Sequence, residues 1–203
     1  MVRVWASSPP GRHTNPPAIL GGPFQRTSYA GPRHTPLSSS AAAAAGGGDA
    51  LATATTTPSS WWAVDLGARH RLLVNYYTLR HDGSSDGFAR GWRLQGSNDL
   101  RNWATLREHG GGGAAAGAAN AASAGDRSLR LPGQFCSWPV VGASAARPFR
   151  AFRLVLTQPA SDGSWHFVLS QLELYGLLTV YPRDHHCGGG GVAGGGGGGG
   201  GGG

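Results

Sequence analysis

The sequence predicts an all-β chain that folds as an antiparallel β-sandwich or jelly roll. Two observations carry this expectation. The patterned segments repeat with a period of two rather than 3.6, and Gly, Pro, Asn, Asp and Ser cluster between them. No amphipathic helix of useful length interrupts the pattern.

Each strand can be justified in order. Val2–Ala6 is a short run of β-formers. Trp61–Leu66 and Leu72–Arg80 are apolar runs bounded by turn residues. In Trp92-Arg93-Leu94-Gln95-Gly96-Ser97, apolar and polar residues alternate, which makes a half-buried strand with Trp92 and Leu94 facing inward. The corner that follows, Ser97-Asn98-Asp99, suits a tight turn, because Asn and Asp tolerate left-handed backbone and bond their own main chain. Trp103–Glu108, Gln134–Val140, Phe152–Leu156 and Leu172–Tyr175 complete a set of about eight strands.

The rest of the chain is low in complexity. Residues 34–59 are rich in Ser, Ala, Gly and Thr, and residues 110–125 in Gly and Ala; both are expected to be disordered insertions. Ala41–Ala45 could nucleate helix but is too short to persist and runs into glycines, so it reads as coil. The stretch from Gly188 to the end is almost pure glycine, without side chains to bury and with a large backbone entropy to lose. The expected domain therefore spans 1–178, with 179–203 as a disordered tail. Long surface insertions cost only a slowly growing closure entropy, so one domain can carry both.

Composition narrows the function classes. The chain has 17 basic residues, all arginine, against 10 acidic ones, a net charge of +7. The arginines are scattered from Arg3 to Arg183 rather than massed, and their excess accompanies one in alanine and glycine. Nucleic-acid binding is therefore disfavoured. No apolar run approaches the roughly 18 residues a membrane span needs. The proline-rich start lacks the apolar core of a signal peptide, and no Asn-x-Ser/Thr sequon occurs, so an intracellular setting, cytoplasmic or nuclear, is expected. Of the two cysteines, Cys136 and Cys187, the second falls in the expected tail, which argues against a bridge.

Particular strings resemble the coagulation-factor type C, or discoidin, family. They are Trp61-Trp62-Ala63-Val64-Asp65-Leu66-Gly67, Asn75–Arg80, Trp92–Asp99, Trp103–His109, Pro132-Gly133-Gln134-Phe135 with Ser137-Trp138-Pro139, Phe149–Leu156, and Leu172-Glu173-Leu174-Tyr175-Gly176. The resemblance is strongest to an intracellular subgroup found in plant and algal BTB-domain proteins and some ubiquitin ligases. Ala6-Ser7-Ser8-Pro9 and Thr27–Arg33 resemble that subgroup too. The family implies an eight-stranded, galactose-binding-domain-like jelly roll whose loops at one end bind glycans, lipid head groups or protein segments. It also implies that Asp65 satisfies backbone donors locally. The cysteines that bracket secreted members have no counterpart here. No BTB segment is legible in these residues, so a link to ubiquitin ligation rests on analogy.

The expected function is a non-catalytic module that recognises a protein segment, with a glycan-binding, lectin-like module as the alternative; no cofactor is expected. The loop Arg80–Arg90 concentrates Arg80, His81, Asp82, Asp86 and Arg90. Arginine forks there could grip a carboxylate or phosphate, and loops on a rigid scaffold commonly carry recognition. The early loop adds Arg12, His13 and Asn15, and the turn before the first insertion adds Tyr29 and Arg33. Trp165 lies in a turn, a contact candidate if exposed and a packing residue if not. The expected ligand-binding set is Arg12, Tyr29, Arg33, Arg80, Asp82, Arg90 and Trp165. Trp61, Trp62, Trp92, Trp103 and Trp138 are expected in the core.

Two chance patterns are set aside. Gly83-Ser84-Ser85-Asp86-Gly87 matches a hydrolase nucleophile elbow, but that motif needs a following helix, and here a strand begins at Trp92. His185-His186-Cys187 offers metal-ligand types beside the glycine tail but no fourth ligand.

Overall fold

The computed structural model describes residues 1–8, 16–20, 35–36, 58–83, 86–110 and 125–182. Eight strands form two antiparallel sheets. The five-stranded sheet runs β1 (Arg3–Ala6), β4 (Trp61–Asp65), β9 (Ala151–Leu156), β6 (Trp92–Ser97), β7 (Ala104–His109). The three-stranded sheet runs β10 (Leu169–Val180), β5 (His70–His81), β8 (Phe135–Pro139). A two-residue ribbon, β2 (Thr35–Pro36) with β3 (Pro58–Ser59), joins the two bounds of the first low-complexity stretch. Helical structure among the described residues is confined to 3₁₀ turns at Pro16–Leu20 and Ala143–Ala146.

The alternation read from the sequence is what closes the sandwich. Trp92 and Leu94 are fully buried, and their β9 partners Leu156 and Leu154 lie beside them. From the other sheet Tyr77, Leu79 and Leu169 face the same core, together with Trp62, Phe152 and Phe167. Gly96 is required by this packing, because a Cβ there would come within 2.6 Å of the Phe149 ring. Of the five tryptophans expected in the core, Trp62, Trp92 and Trp138 are buried. Trp61 and Trp103 are only half-buried, and Trp103 lies beneath the Arg153 guanidinium at 4.3 Å.

The last strand is longer than its alternation suggested. Leu172–Tyr175 extends to Leu169–Val180, two residues past the expected domain end, because β5 offers backbone partners as far back as His70. The pairing shifts register between Tyr175 and Gly176. Beyond that point Leu177, Leu178 and Val180 are exposed, so hydrogen bonding rather than burial holds this half of the strand.

The topology sorts the connections into two ends. The β4–β5, β6–β7 and β8–β9 joins lie at one end. The β1–β4, β5–β6, β7–β8 and β9–β10 joins lie at the other, and both low-complexity insertions leave the sandwich there.

Candidate functional site

The second end gathers the sequence-predicted residues that the structure describes. Arg80 is the penultimate residue of β5, Asp82 and Arg90 stand in the β5–β6 loop, and Trp165 stands in the β9–β10 loop. Arg12, Tyr29 and Arg33, with His13 and Asn15, belong to the β1–β4 connection and lie outside the described residues. So do Ser84, Ser85, the interior of the second insertion, and the segment holding His185, His186 and Cys187. Among the described residues no group of three or more His, Cys, Asp or Glu is placed to hold a metal ion.

The described candidates turn inward and tie the loops to one another. Arg80 donates from Nε to the Gly133 carbonyl at 2.9 Å, and Gly133 donates its amide to the Asp82 carbonyl at 3.0 Å. Arg90 donates from Nη1 to the carbonyls of Leu129 at 2.9 Å and Asp126 at 3.4 Å. Asp82 is buried, and neighbouring His81 is fully buried with its ring nitrogens 2.6 and 3.1 Å from the Asp82 and Gly87 carbonyls. Trp165 packs against the core, and its carbonyl accepts a short hydrogen bond from Ser60 Oγ. Ser161 joins a further pair of loops, accepting from the Phe88 amide at 2.8 Å and donating to the Asp86 carbonyl at 2.9 Å. Charge marked these residues in the sequence, but charge alone does not fix direction.

Behind the loops sits a buried polar chain. Trp92 Nε1 donates to Tyr77 Oη at 3.0 Å, Tyr77 Oη lies 2.6 Å from His109 Nε2, and His109 Nδ1 lies 2.6 Å from Asp126 Oδ2. Arg107 Nε also donates to His109 Nε2, at 3.1 Å, which leaves the imidazole proton on Nδ1 facing Asp126. The order carboxylate, imidazole, hydroxyl resembles an acid–base relay. Tyr77, however, is fully buried and burial pushes its phenol well above the ordinary value, despite the Trp92 hydrogen bond. The chain instead clamps the second insertion, whose bounds it joins: His109 precedes that insertion and Asp126 follows it. Gly110 completes the clamp with φ +67°, where a Cβ would fall 1.8 Å from the Arg90 carbonyl oxygen. Burial raises the Asp126 carboxyl, but hydrogen bonds from His109 and Ser128 outweigh it and hold the pKa at about 2.

Among the described residues, the finger 126–135 presents large apolar side chains to solvent here, and the sequence did not single it out as a contact. Leu129 anchors it, fully buried, while Leu131 and Phe135 are 63% and 69% exposed and Arg127 and Arg130 are exposed beside them. Gln134 Oε1 accepts from the amides of Arg130 at 2.7 Å and Leu131 at 3.0 Å, fixing the turn. An apolar residue directly before Pro132-Gly133 was the available signal, since a buried side chain is hard to place at a turn tip. Burial, with repulsion from Arg127 and Arg130, lowers the Arg90 pKa, so positive charge is crowded here.

At the opposite end, Asp65 does the local job that the resemblance implied. Its Oδ1 accepts from the Gly67 amide at 2.8 Å, and Arg150 meets its two oxygens at 2.7 Å each. An open depression of about 370 Å³ also lies at this end, between Asn98, Asn102, Trp103, Arg147 and Phe149.

Comparison with known proteins places this architecture. The chain is 40% identical over 177 residues to a BTB/POZ domain-containing protein of Arabidopsis thaliana, a match that covers 86% of this chain and 18% of the relative. It is 30% identical over 116 residues to the E3 ubiquitin-protein ligase hecd-1 of Caenorhabditis elegans, covering 56% of this chain and 4% of the relative. The chain thus spans a small part of both relatives. Among solved structures it resembles CBM32-3 from a family 31 glycoside hydrolase of Clostridium perfringens, with TM-score 0.52 at 14% identity over 87% of this chain and 91% of that one. It also resembles CpGH89CBM32-5 of the same organism, solved with GalNAc-β-1,3-galactose, with TM-score 0.51 at 12% identity over 86% of this chain and 94% of that one. The model of the F5/8 type C domain matches residues 25–131. With the two-sheet jelly roll and these relatives in agreement, the chain belongs to the F5/8 type C, or discoidin, family.

Proposed function

We propose that this chain is a non-catalytic recognition module that binds a protein segment at the end of the sandwich carrying the finger 126–135. The observation that supports it most is the cross-bracing of the loops there. Arg80 holds Gly133, Arg90 holds Leu129, Ser161 holds Phe88 and Asp86, and Ser60 holds Trp165. Loops fixed in advance lose little entropy when a partner binds, which favours recognition without chemistry. The BTB/POZ relative and the ubiquitin-ligase relative support a further reading, that the module selects or scaffolds partners for a larger intracellular protein of that kind.

A glycan is the second reading, favoured by the CpGH89CBM32-5 complex. Sugar stacking needs an open aromatic face. Trp165 packs on the core; Phe135 is an open aromatic face, but exposed Leu131, Arg127 and Arg130 share its finger, a surface better matched to a peptide.

The test compares the full chain with a Leu131→Ser/Phe135→Ser variant as baits in soluble cell lysate, alongside a glycan array. Arg147→Ala, at the opposite end, serves as the control. Proteins captured by the parent and the control but lost from the finger variant are the expected result. Glycan binding with no finger-dependent protein capture would overturn the reading in favour of a lectin-like module.

A further inference from the structure

We propose that the finger 126–135 takes an acidic protein segment bearing a large apolar side chain, with Leu131 and Phe135 as the apolar contacts and Arg127 and Arg130 as the charge partners. The inference rests on the protein-segment reading above and names the chemistry of the segment.

Exposure is the first observation. Leu131 and Phe135 leave 63% and 69% of their surface to water, on a finger whose Leu129 is completely buried. A loop that buries one leucine and presents another is divided between an anchor and a contact. Apolar side chains on a fixed backbone favour binding, because little ordering remains to be done.

The finger's backbone is held at successive points. The Asp126 amide donates to the Arg90 carbonyl at 2.6 Å, and the Gln134 amide donates to the Leu131 carbonyl at 3.1 Å. His81 then donates its amide to the Gln134 carbonyl at 2.8 Å. Together with the Arg80 and Arg90 tethers, these bonds run along the finger from its base to its junction with β8.

Charge selects the partner. The finger's one carboxylate, Asp126, is turned in to His109 and Ser128. Arg127 and Arg130 are exposed, Arg130 donating from Nε to the Arg127 carbonyl at 2.5 Å, and their repulsion of Arg90 favours a ligand that brings negative charge. The chain as a whole, at +7, adds to the attraction.

The extended geometry favours a polypeptide over a lipid surface. Phe135 opens β8 opposite Arg80, and β8 is the edge of its sheet, with β5 its one strand neighbour among the described residues. A segment laid along the finger would reach main-chain groups of this edge as well as side chains.

The experiment screens the full chain against a synthetic decapeptide library with a central Phe, Leu or Trp and all other positions randomised. Selected peptides are then titrated by fluorescence polarisation. The bound pool is expected to be enriched in Asp and Glu around the apolar position. Arg127→Ser/Arg130→Ser and Leu131→Ser/Phe135→Ser are each expected to weaken the selected peptides about tenfold or more, with Arg147→Ala unchanged. Raising salt from about 50 to about 300 mM should weaken parent binding. All substituted residues are exposed, and a thermal melt checks that each variant is folded. A pool that needs Leu131 and Phe135 without acidic enrichment would overturn this inference and leave the protein-segment reading standing. A pool indifferent to the finger, or none at all, would overturn both. Retention on phosphatidylserine-containing vesicles without any peptide pool would reassign the finger to a membrane surface.

Discussion

At the end of the sandwich where β4 gives way to β5, Arg150 meets both oxygens of a carboxylate that is only 4% exposed. At the far end Arg90 meets the carbonyls of Leu129 and Asp126, which orient it without cancelling its charge. The first arrangement is a closed lock. The second fixes a loop and leaves positive potential at the surface, where Arg127 and Arg130 add to it. The same residue type therefore does different work at the two ends: Arg150 is paired directly with a carboxylate, whereas Arg90 is held by carbonyls and has Asp126 only as a neighbouring charge. The end where the arginine is held by carbonyls is the better place for an anionic partner to bind.

The largest expected effect tests the lock. Asp65→Asn removes the charge that Arg150 and the Gly67 amide share, and should cost about 3 kcal/mol, as breaking a largely buried pair does. Urea unfolding at neutral pH measures it. A loss below about 1 kcal/mol would mean the pair behaves as a surface salt bridge, and the contrast between the ends would fail. The same variant should leave finger-dependent binding intact while it remains folded.

A smaller effect probes the clamp beneath the finger. The Asp126 carboxyl is held at about 2, below its ordinary 3.8. Because the folded value is the lower one, the stabilisation is complete above the unfolded value and fades as pH falls toward the folded one. The melting temperature should therefore hold from neutral pH to about 5 and drop between about 4 and 2. Asp126→Asn should lower stability at pH 7 by about 2 kcal/mol through its lost charge-assisted hydrogen bonds, and should flatten part of the acid drop. An unchanged acid profile in Asp126→Asn would show that the clamp carries none of the pH dependence.

These two regions were not equally legible in the sequence. The strands were, because a half-buried strand writes its burial as alternation: Trp92 and Leu94 inward, Arg93 outward. Asp65 was legible through family resemblance. The finger was not. Its course has no period, and its geometry depends on Arg80 reaching Gly133 and Arg90 reaching Leu129 across 53 and 39 residues of chain. Arg80, Arg90 and Trp165 stood out as chemistry, but in the fold they brace loops or pack, and the outward face fell to Leu131 and Phe135. The extension of β10 to Val180 was equally hidden, since Leu177-Leu178 breaks alternation and only pairing with β5 keeps it extended.

The smallest expected effect lies in the turn at the lock end. Leu100 has φ 64°, in the left-handed region that side chains with a Cβ avoid. It is held there by neighbours on both sides. Ser97 Oγ accepts its amide at 2.9 Å, and Asp99 Oδ1 accepts the amides of Arg101 and Asn102 at 2.9 and 2.8 Å. Leu100→Gly keeps all of these bonds and relieves about 1 kcal/mol of backbone strain. Part of that gain is offset, because Leu100 is 37% exposed and so buries some apolar surface, and glycine loses more entropy on folding. A net rise in melting temperature of about 2 °C is expected. A fall instead would show that the Leu100 side chain contributes more by packing than its backbone costs, so that the lock end would depend on apolar contact as well as on the Asp65–Arg150 pair.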